Sequence, residues 1–188
     1  MVGQNLSTTS VNRKISALKS YYKFLLKVKQ ISVNPLLKHK SLKTAKKVQI
    51  PFSEKELQDV FSDNDYSNDF EGIRNRLVIE LFYTTGIRRA ELINLKLNSV
   101  NKIQKTIRVV GKRNKERIIP MLDCTLNLLK HYKEQRNHLE VIKDEEMLIL
   151  SKTGNKVSES FVYRLINDYF STVQKKEKKS PHVLRHSF

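Results

Sequence analysis

The pattern of apolar and polar residues predicts helices over most of the chain. Apolar residues recur every three or four positions over residues 7–27, which indicates an amphipathic helix that has ended by Asn34-Pro35. A longer apolar run begins at Phe70 and predicts a helix that stops at Gly86. Shorter runs of the same period predict further helices, which begin at about Glu54, Glu91, Leu122, Phe161 and His182.

The period changes between Lys105 and Pro120. Two runs rich in β-branched residues, 106–110 and 117–119, flank a basic tip at residues 111–115, and this arrangement predicts a β-hairpin. The apolar residues Leu148 to Leu150 predict a short strand that could join the hairpin. The expected fold is therefore α+β and mainly α, with one small antiparallel sheet.

A basic segment separates two parts of the chain. Residues 38–50 carry five lysines and only scattered apolar residues, which is typical of a linker that can follow a polyanion. We place a domain boundary near Lys47. Residues 1–47 are then expected to be a helical remnant of one domain with its linker, and residues 48–188 a second domain.

The charge of the chain indicates an anionic partner. Among 188 residues, 36 Lys and Arg face 19 Asp and Glu, which gives a formal net charge of +17 and a pI near 9.9. Nucleic acid and acidic lipid surfaces both fit this charge, and charge alone does not separate them. No apolar stretch has the length of a spanning helix, and the N-terminus lacks the apolar core of a signal peptide. These features predict a cytoplasmic protein without membrane contact.

Cysteine and histidine content argues against a metal or disulfide framework. Cys124 is the only cysteine, so an internal disulfide and a thiolate-rich zinc site are excluded, and its side chain is expected to pack as a small apolar residue. His182 has no acidic residue at metal-ligand spacing beside it. We therefore expect no metal and no cofactor.

Three basic motifs follow one another along the chain. In Thr85–Leu95, two arginines come directly after the Gly86-Ile87 turn, where guanidinium and helix-start N–H groups could hold a phosphate. Gly111–Arg117 forms the basic tip of the predicted hairpin. His182 and Arg185 are three residues apart and share one face of the last predicted helix.

In this order, the motifs resemble the first-arginine box, the lysine hairpin and the second-arginine box of the tyrosine recombinase (phage integrase) family. The hairpin is most similar to that of the Xer-like members, and the helix at 7–27 resembles the last helix of the family's core-binding domain. The resemblance covers nearly the whole chain. It implies cleavage and rejoining of double-stranded DNA through a 3′-phosphotyrosine, without metal or cofactor.

The resemblance also implies roles for individual residues. Arg88 and Arg185 match the two arginines that bind the scissile phosphate, and Lys112 matches the lysine that protonates the departing 5′-oxygen. His182 matches the histidine that acts as acid/base or phosphate ligand, and Glu91 matches an acid that orients the first arginine. The other basic residues expected to contact DNA are Arg89, Arg113, Lys115, Lys43, Lys46 and Lys47.

The sequence departs from the family pattern at its end and at the hairpin tip. In the family the nucleophilic tyrosine follows the second-arginine box, whereas all seven tyrosines here precede His182, so none is expected to be the nucleophile. Arg113 stands where the hairpin tip often has a glycine, and we expect it to stiffen the turn. The chain is thus interpreted as a fragment that binds DNA without cleaving it and lacks most of the core-binding domain.

Two other functions fit part of the sequence. A non-catalytic DNA-binding or regulatory module with the recombinase fold would have the same charge and composition. An RNA-binding protein is less favoured, because the hairpin has no aromatic-rich strand motif. Both a homo-oligomer on DNA, as the tetramers of the family imply, and a monomer in solution are compatible with the sequence.

Overall fold

The computed structural model describes residues 6–44 and 67–170. The chain divides into two compact units, Met1–Val48 and Gln49–Phe188, which we describe separately. The helices predicted to begin at Glu54 and His182, and part of the basic linker, lie outside the described residues. The assignment of the two units to particular domains stays a prediction.

The first unit is built on one long helix. Helix α1 spans Thr8–Lys27, which confirms the predicted helix, and its N-cap Ser7 accepts a hydrogen bond from the backbone N–H of Ser10 at 3.2 Å. The segment that follows is fastened back to α1 by side chains. Asn12 exchanges two hydrogen bonds of 2.9 Å with the backbone of Leu42, and Lys19 donates to the carbonyl of His39 at 2.6 Å.

Helix α2 (Phe70–Thr85) is the centre of the second unit. Its N-cap Asp69 accepts from the N–H of Gly72 at 2.8 Å, and it ends at Gly86, whose left-handed backbone (φ 55°) suits glycine. Apolar residues on nearly every side of α2 are buried, which is the pattern of a helix surrounded by other elements. The short helix α3 (Arg89–Ile93) follows the turn.

The remaining helices cover α2. Helix α4 spans Asp123–Asn137 and α5 spans Glu159–Tyr169, close to their predicted positions, and both pack against α2. Leu129 and Tyr132 of α4 are buried. The expectation for Cys124 is wrong: its side chain is exposed, because the neighbouring Thr125 takes the buried position on the first turn of α4.

A three-stranded antiparallel sheet lies beside the helices. Strands β2 (Thr106–Val110) and β3 (Glu116–Pro120) form the predicted hairpin, with Val109 opposite Arg117, and β1 (Val100–Asn101) pairs with the other edge of β2. Ile107 and Val109 are buried while Arg108 and Val110 are exposed. One face of the sheet therefore packs on the core.

The segment 148–150 is not the strand that was predicted to join the hairpin. It is fully buried, but its backbone bonds to helix and loop groups: Leu148 N–H donates to the carbonyl of Leu95 at 2.8 Å, and Leu150 N–H to the Tyr132 hydroxyl at 3.0 Å. A short continuous apolar run signals burial in any backbone conformation, so the pattern could not specify a sheet partner. Nowhere in the described ranges is a helix long and apolar enough to cross a membrane.

Candidate functional site

The turn between α2 and α3 places Arg88 at the surface of the second unit. Gly86 reverses the chain, and the buried side chain of Ile87 anchors the turn in the core. Arg88 then has an extended backbone as the N-cap of α3, and about half of its side chain (54%) is exposed. The guanidinium group thus extends from a turn that is anchored in the core, and it still faces solvent.

Glu91 is the residue that connects the parts of this site. Its carboxylate is almost completely buried, and it accepts two hydrogen bonds of 2.8 Å from Arg88, one from the backbone N–H and one from Nη1. Arg117 of β3 adds a bidentate pair, with Nη1 2.7 Å from Oε1 and Nη2 2.8 Å from Oε2. One buried carboxylate therefore joins the α2–α3 turn to the hairpin.

Glu91 stays ionised because of these contacts. Burial by itself raises the pKa of the carboxyl, but the hydrogen bonds from Arg117 and Arg88 outweigh it and lower the pKa to about 2. The same pairing with Glu91 raises the pKa of Arg117. At neutral pH the three groups carry two positive charges and one negative charge, so the cluster keeps a net positive charge beside solvent.

Gly111 brings the hairpin tip against this carboxylate. A Cβ atom at position 111 would lie only 3.0 Å from Oε1 of Glu91, so the absence of a side chain allows the close approach. The N–H of Gly111 donates to the carbonyl of Lys115 at 2.8 Å and closes the tip. Lys112, the next residue, is exposed on a tip whose base is seated beside Glu91.

The backbone of the tip is constrained. Residues 112–114 form a 3₁₀ turn in which Arg113 and Asn114 both have left-handed conformations, with φ of 61° and 57°. A glycine would adopt this conformation without the steric cost that Arg113 carries. Arg113 and Lys115 are exposed beside Lys112, so both predicted DNA contacts of the tip and the predicted proton donor face solvent.

The other predicted site residues are distributed differently. Arg89 is exposed only in part (34%) and is paired through Nη2 with Oε2 of Glu159, in the first turn of α5, at 2.5 Å. Lys43 is exposed in the first unit. Lys46, Lys47, His182 and Arg185 lie outside the described residues, so their roles stay predictions.

Helix α3 is too short to be the phosphate-binding element that the sequence suggested. It has five residues, and the N–H of its N-cap Arg88 is already taken by Glu91. Arginine side chains, rather than the start of the helix, therefore carry the binding capacity of this turn.

Arg117 is the residue of the site that the sequence analysis missed. Cross-strand pairing puts Arg117 opposite the buried Val109, on the face of the sheet that packs on the core. An arginine at an inward-facing strand position requires a buried acidic partner. That mismatch with the alternating pattern of the hairpin is the signal that could have found it.

The cluster can bind a phosphate through side chains alone. Glu91 engages only Nη1 of the Arg88 guanidinium within the described residues, and a planar guanidinium can donate its remaining N–H groups to two phosphate oxygens. No group of three or more His, Cys, Asp or Glu side chains in residues 6–44 and 67–170 could hold a metal ion.

Comparison with known sequences places these residues within one family pattern. The sequence model described as "Phage integrase family" matches residues 52–188. The chain is 32% identical over 188 residues to tyrosine recombinase XerC of Staphylococcus epidermidis, covering 100% of this chain and 63% of the relative. It is 33% identical over 189 residues to tyrosine recombinase XerD of Staphylococcus aureus, covering 100% of this chain and 64% of the relative. The chain thus spans less than two thirds of the curated relatives it matches.

Solved structures agree with this match. The structure of XerA recombinase is 28% identical with a TM-score of 0.63, over 97% of this chain and 60% of that one. XerH site-specific recombinase, in a post-cleavage complex with its palindromic difH substrate, has the same fold at 22% identity, with a TM-score of 0.80 over 97% of this chain and 56% of that one.

Proposed function

Since this chain belongs to the phage integrase family, and its curated relatives are Xer-type tyrosine recombinases, we propose that it is part of an enzyme of site-specific DNA recombination. The observation that carries the proposal is the cluster of Arg88, Glu91 and Arg117 beneath the exposed Lys112 tip. It lies inside the matched region and supplies donors for one phosphodiester. Strand cleavage and rejoining are assigned to the whole protein.

The proposed reaction needs stabilisation of negative charge at phosphorus. Attack of a tyrosine hydroxyl on the phosphodiester gives a five-coordinate transition state, whose non-bridging oxygens carry more charge than in the substrate. Arg88 would donate to these oxygens from a position that Glu91 fixes in advance. A preorganised donor of this kind is worth roughly 3–4 kcal/mol.

The departing 5′-oxygen needs a proton. We assign this proton to Lys112, because its tip is seated beside Glu91 by the close approach of Gly111 while the lysine itself faces solvent. General acid help of this kind accelerates a reaction by about 10²–10⁴. The family motifs assign His182 and Arg185 to acid/base work and to a second arginine contact.

The environment of Tyr132 does not suit a nucleophile. Tyr132 is fully buried, its hydroxyl accepts from the N–H of Leu150, and burial raises its pKa to about 12. The family pattern assigns the nucleophile to a tyrosine beyond the second-arginine box. We therefore propose DNA binding and phosphate activation as the contribution of this stretch.

Double-stranded DNA is the proposed partner. The net charge of +17 supports a polyanion, and two structural neighbours are described as XerH bound to a difH substrate. Another neighbour is a lambda integrase dimer bound to a core site, which supports a homo-oligomer on DNA. A DNA substrate also fits the expectation of a cytoplasmic protein.

Binding to a labelled duplex of about 30 base pairs tests this proposal. Fluorescence anisotropy at several salt concentrations should show affinity that falls steeply with salt. Arg88→Ala should weaken binding about three- to tenfold and reduce the salt slope by about one. The matched control is Arg108→Ala, which removes the same charge from the exposed face of β2; equal losses in the two variants would contradict the proposal.

The catalytic part is tested in the whole enzyme. Arg88→Ala should abolish covalent trapping on a nicked duplex, because the transition state would lose a charge-assisted donor. Trapping that survives the substitution would show that the site binds DNA without serving the reaction.

A further inference from the structure

We propose that Arg117 is a positioning residue of this site: it holds Glu91 so that Arg88 keeps donors for the phosphate, and it fixes the Lys112 hairpin to the same carboxylate. This inference rests on the proposed function, because it takes the Arg88 guanidinium to bind a phosphate. Neither the three sequence motifs nor the phosphate chemistry by itself assigns a role to Arg117.

The contact between Arg117 and Glu91 is a bidentate ion pair. Both terminal nitrogens of Arg117 bond to different oxygens of the carboxylate, at 2.7 and 2.8 Å, and the carboxylate is buried. A bidentate pair fixes both the position and the plane of the acceptor. Lysine cannot reproduce this geometry, because its ammonium is a point charge.

Arg117 determines how many N–H groups of the Arg88 side chain bond to Glu91. Because Arg117 occupies one acceptor site on each oxygen, the side chain of Arg88 bonds to Oε1 through Nη1 alone. Without Arg117, each oxygen of the buried carboxylate would have one acceptor site open to Arg88, whose guanidinium is the other one that contacts it within the described residues. The guanidinium group of Arg88 would then rotate toward Glu91, and its N–H groups would donate to the carboxylate instead of to a phosphate.

Charge leads to the same conclusion. The three groups together carry one net positive charge, whereas Arg88 and Glu91 alone would carry none. Arg117 thus neutralises the carboxylate, so that the charge of Arg88 stays available to an anion. Substitution by lysine preserves charge and removes only the bidentate geometry, which makes Arg117→Lys the informative variant.

The same residue couples the hairpin to the turn. Arg117 lies on β3, next to the tip, and Gly111 at the other end of the tip approaches Oε1 of Glu91. The α2–α3 turn and the hairpin therefore contact the carboxylate from two sides. Loss of the Arg117 pair is expected to displace the Lys112 tip as well as the Arg88 side chain.

A double-mutant cycle on the 188-residue chain separates positioning from a purely structural ion pair. The variants are Arg117→Lys, Arg88→Ala and both together, with Kd for the labelled duplex measured below the unfolding transition. Arg117→Lys should weaken binding about three- to tenfold, and Arg88→Ala should then add less than about twofold, because its contact is already lost. Arg108→Lys is the control; it should leave Kd within about twofold and be additive with Arg88→Ala.

A second readout does not depend on DNA. The side-chain Nε–H resonance of Arg88 in ¹⁵N-labelled protein should shift in Arg117→Lys and stay in place in Arg108→Lys. An unmoved resonance, or additive losses in the cycle with Arg117→Lys folded, would overturn the inference. If Arg88→Ala leaves DNA affinity unchanged while the resonance shifts, the positioning stands and the proposed function fails.

Discussion

Arg88 and Arg89 are neighbours in the sequence, yet the structure gives them glutamates in opposite environments. Arg88 is paired with Glu91, whose side chain is 3% exposed and whose carboxylate is shared with Arg117. Arg89 is paired with Glu159, whose side chain is 48% exposed. Four hydrogen bonds fix the geometry of the buried acid, whereas water competes with Arg89 for the exposed carboxylate of Glu159.

This difference distinguishes an arginine that the fold holds in one position from an arginine that can change partners. An exposed ion pair contributes roughly 0.2–1 kcal/mol and is screened by salt, so Arg89 can leave Glu159 for a phosphate at little cost. Leaving a buried charge without a partner costs up to about 3–5 kcal/mol, and Glu91 is buried although its arginines are partly exposed, so Arg88 and Arg117 are held at Glu91 more firmly than Arg89 is held at Glu159. We expect Arg88 to act from a fixed position and Arg89 to adapt.

The largest effect on stability should come from removing the charge of the buried Glu91. Glu91→Gln keeps the shape and removes the charge, and should lower the free energy of unfolding by about 3 kcal/mol, since the amide keeps only one acceptor oxygen and turns an NH₂ group toward N–H donors of the arginines. Urea unfolding followed by circular dichroism measures it. Glu159→Gln is the matched control and should change stability by less than about 1 kcal/mol; similar losses in both variants would remove the distinction.

The pH dependence of stability should come next. The pKa of Glu91 is depressed to about 2 from an ordinary 4.5, so its contribution is fully present above pH 4.5 and is lost as the pH falls through the folded value. Roughly 2–3 kcal/mol should disappear between pH 5 and pH 2. The difference in unfolding free energy between the wild type and Glu91→Gln measures this; a difference that stays constant down to pH 2 would contradict the assignment.

A smaller effect is expected where the hairpin meets the buried acid. Gly111→Ala puts a methyl group 3.0 Å from Oε1 of Glu91, an oxygen that two arginines hold in place. Overpacking costs about 1–3 kcal/mol, and the entropy gain of alanine returns about 0.4–1, so we expect a net loss near 1 kcal/mol. Thermal unfolding gives the value, with Glu116→Ala on the exposed face of β3 as the control.

The smallest effect should come from removing the charge of the exposed Glu159, the partner of Arg89. Glu159→Gln frees Arg89, and DNA affinity should rise about two- to threefold, because one more cation becomes available to phosphate. The salt slope should steepen by less than one, and anisotropy measures both quantities. Unchanged affinity in this variant, with Arg89→Ala also neutral, would show that Arg89 does not reach the DNA.

Many of the helices and strands of the second unit could be predicted from local sequence patterns. The helix that begins at Phe70, its stop at Gly86 and the hairpin at 106–120 are present as predicted, since each depends on residues close together in the sequence. The predictions for Cys124 and for residues 148–150 were wrong. The first prediction rested on residue type and the second on a short apolar run, but tertiary packing decided that Thr125 takes the buried position and that Val100–Asn101 supplies the third strand.

The sequence by itself determined the types and order of the elements, the left-handed stop at Gly86 and the basic residues presented by the turn and the tip. Only the tertiary structure decided which acid each arginine meets. Arg117 reaches Glu91 across 26 residues, and Arg89 reaches Glu159 across 70. Periodicity and turn chemistry act over a few residues, whereas these pairs depend on the path of the whole chain around α2 and on how much water each carboxylate keeps.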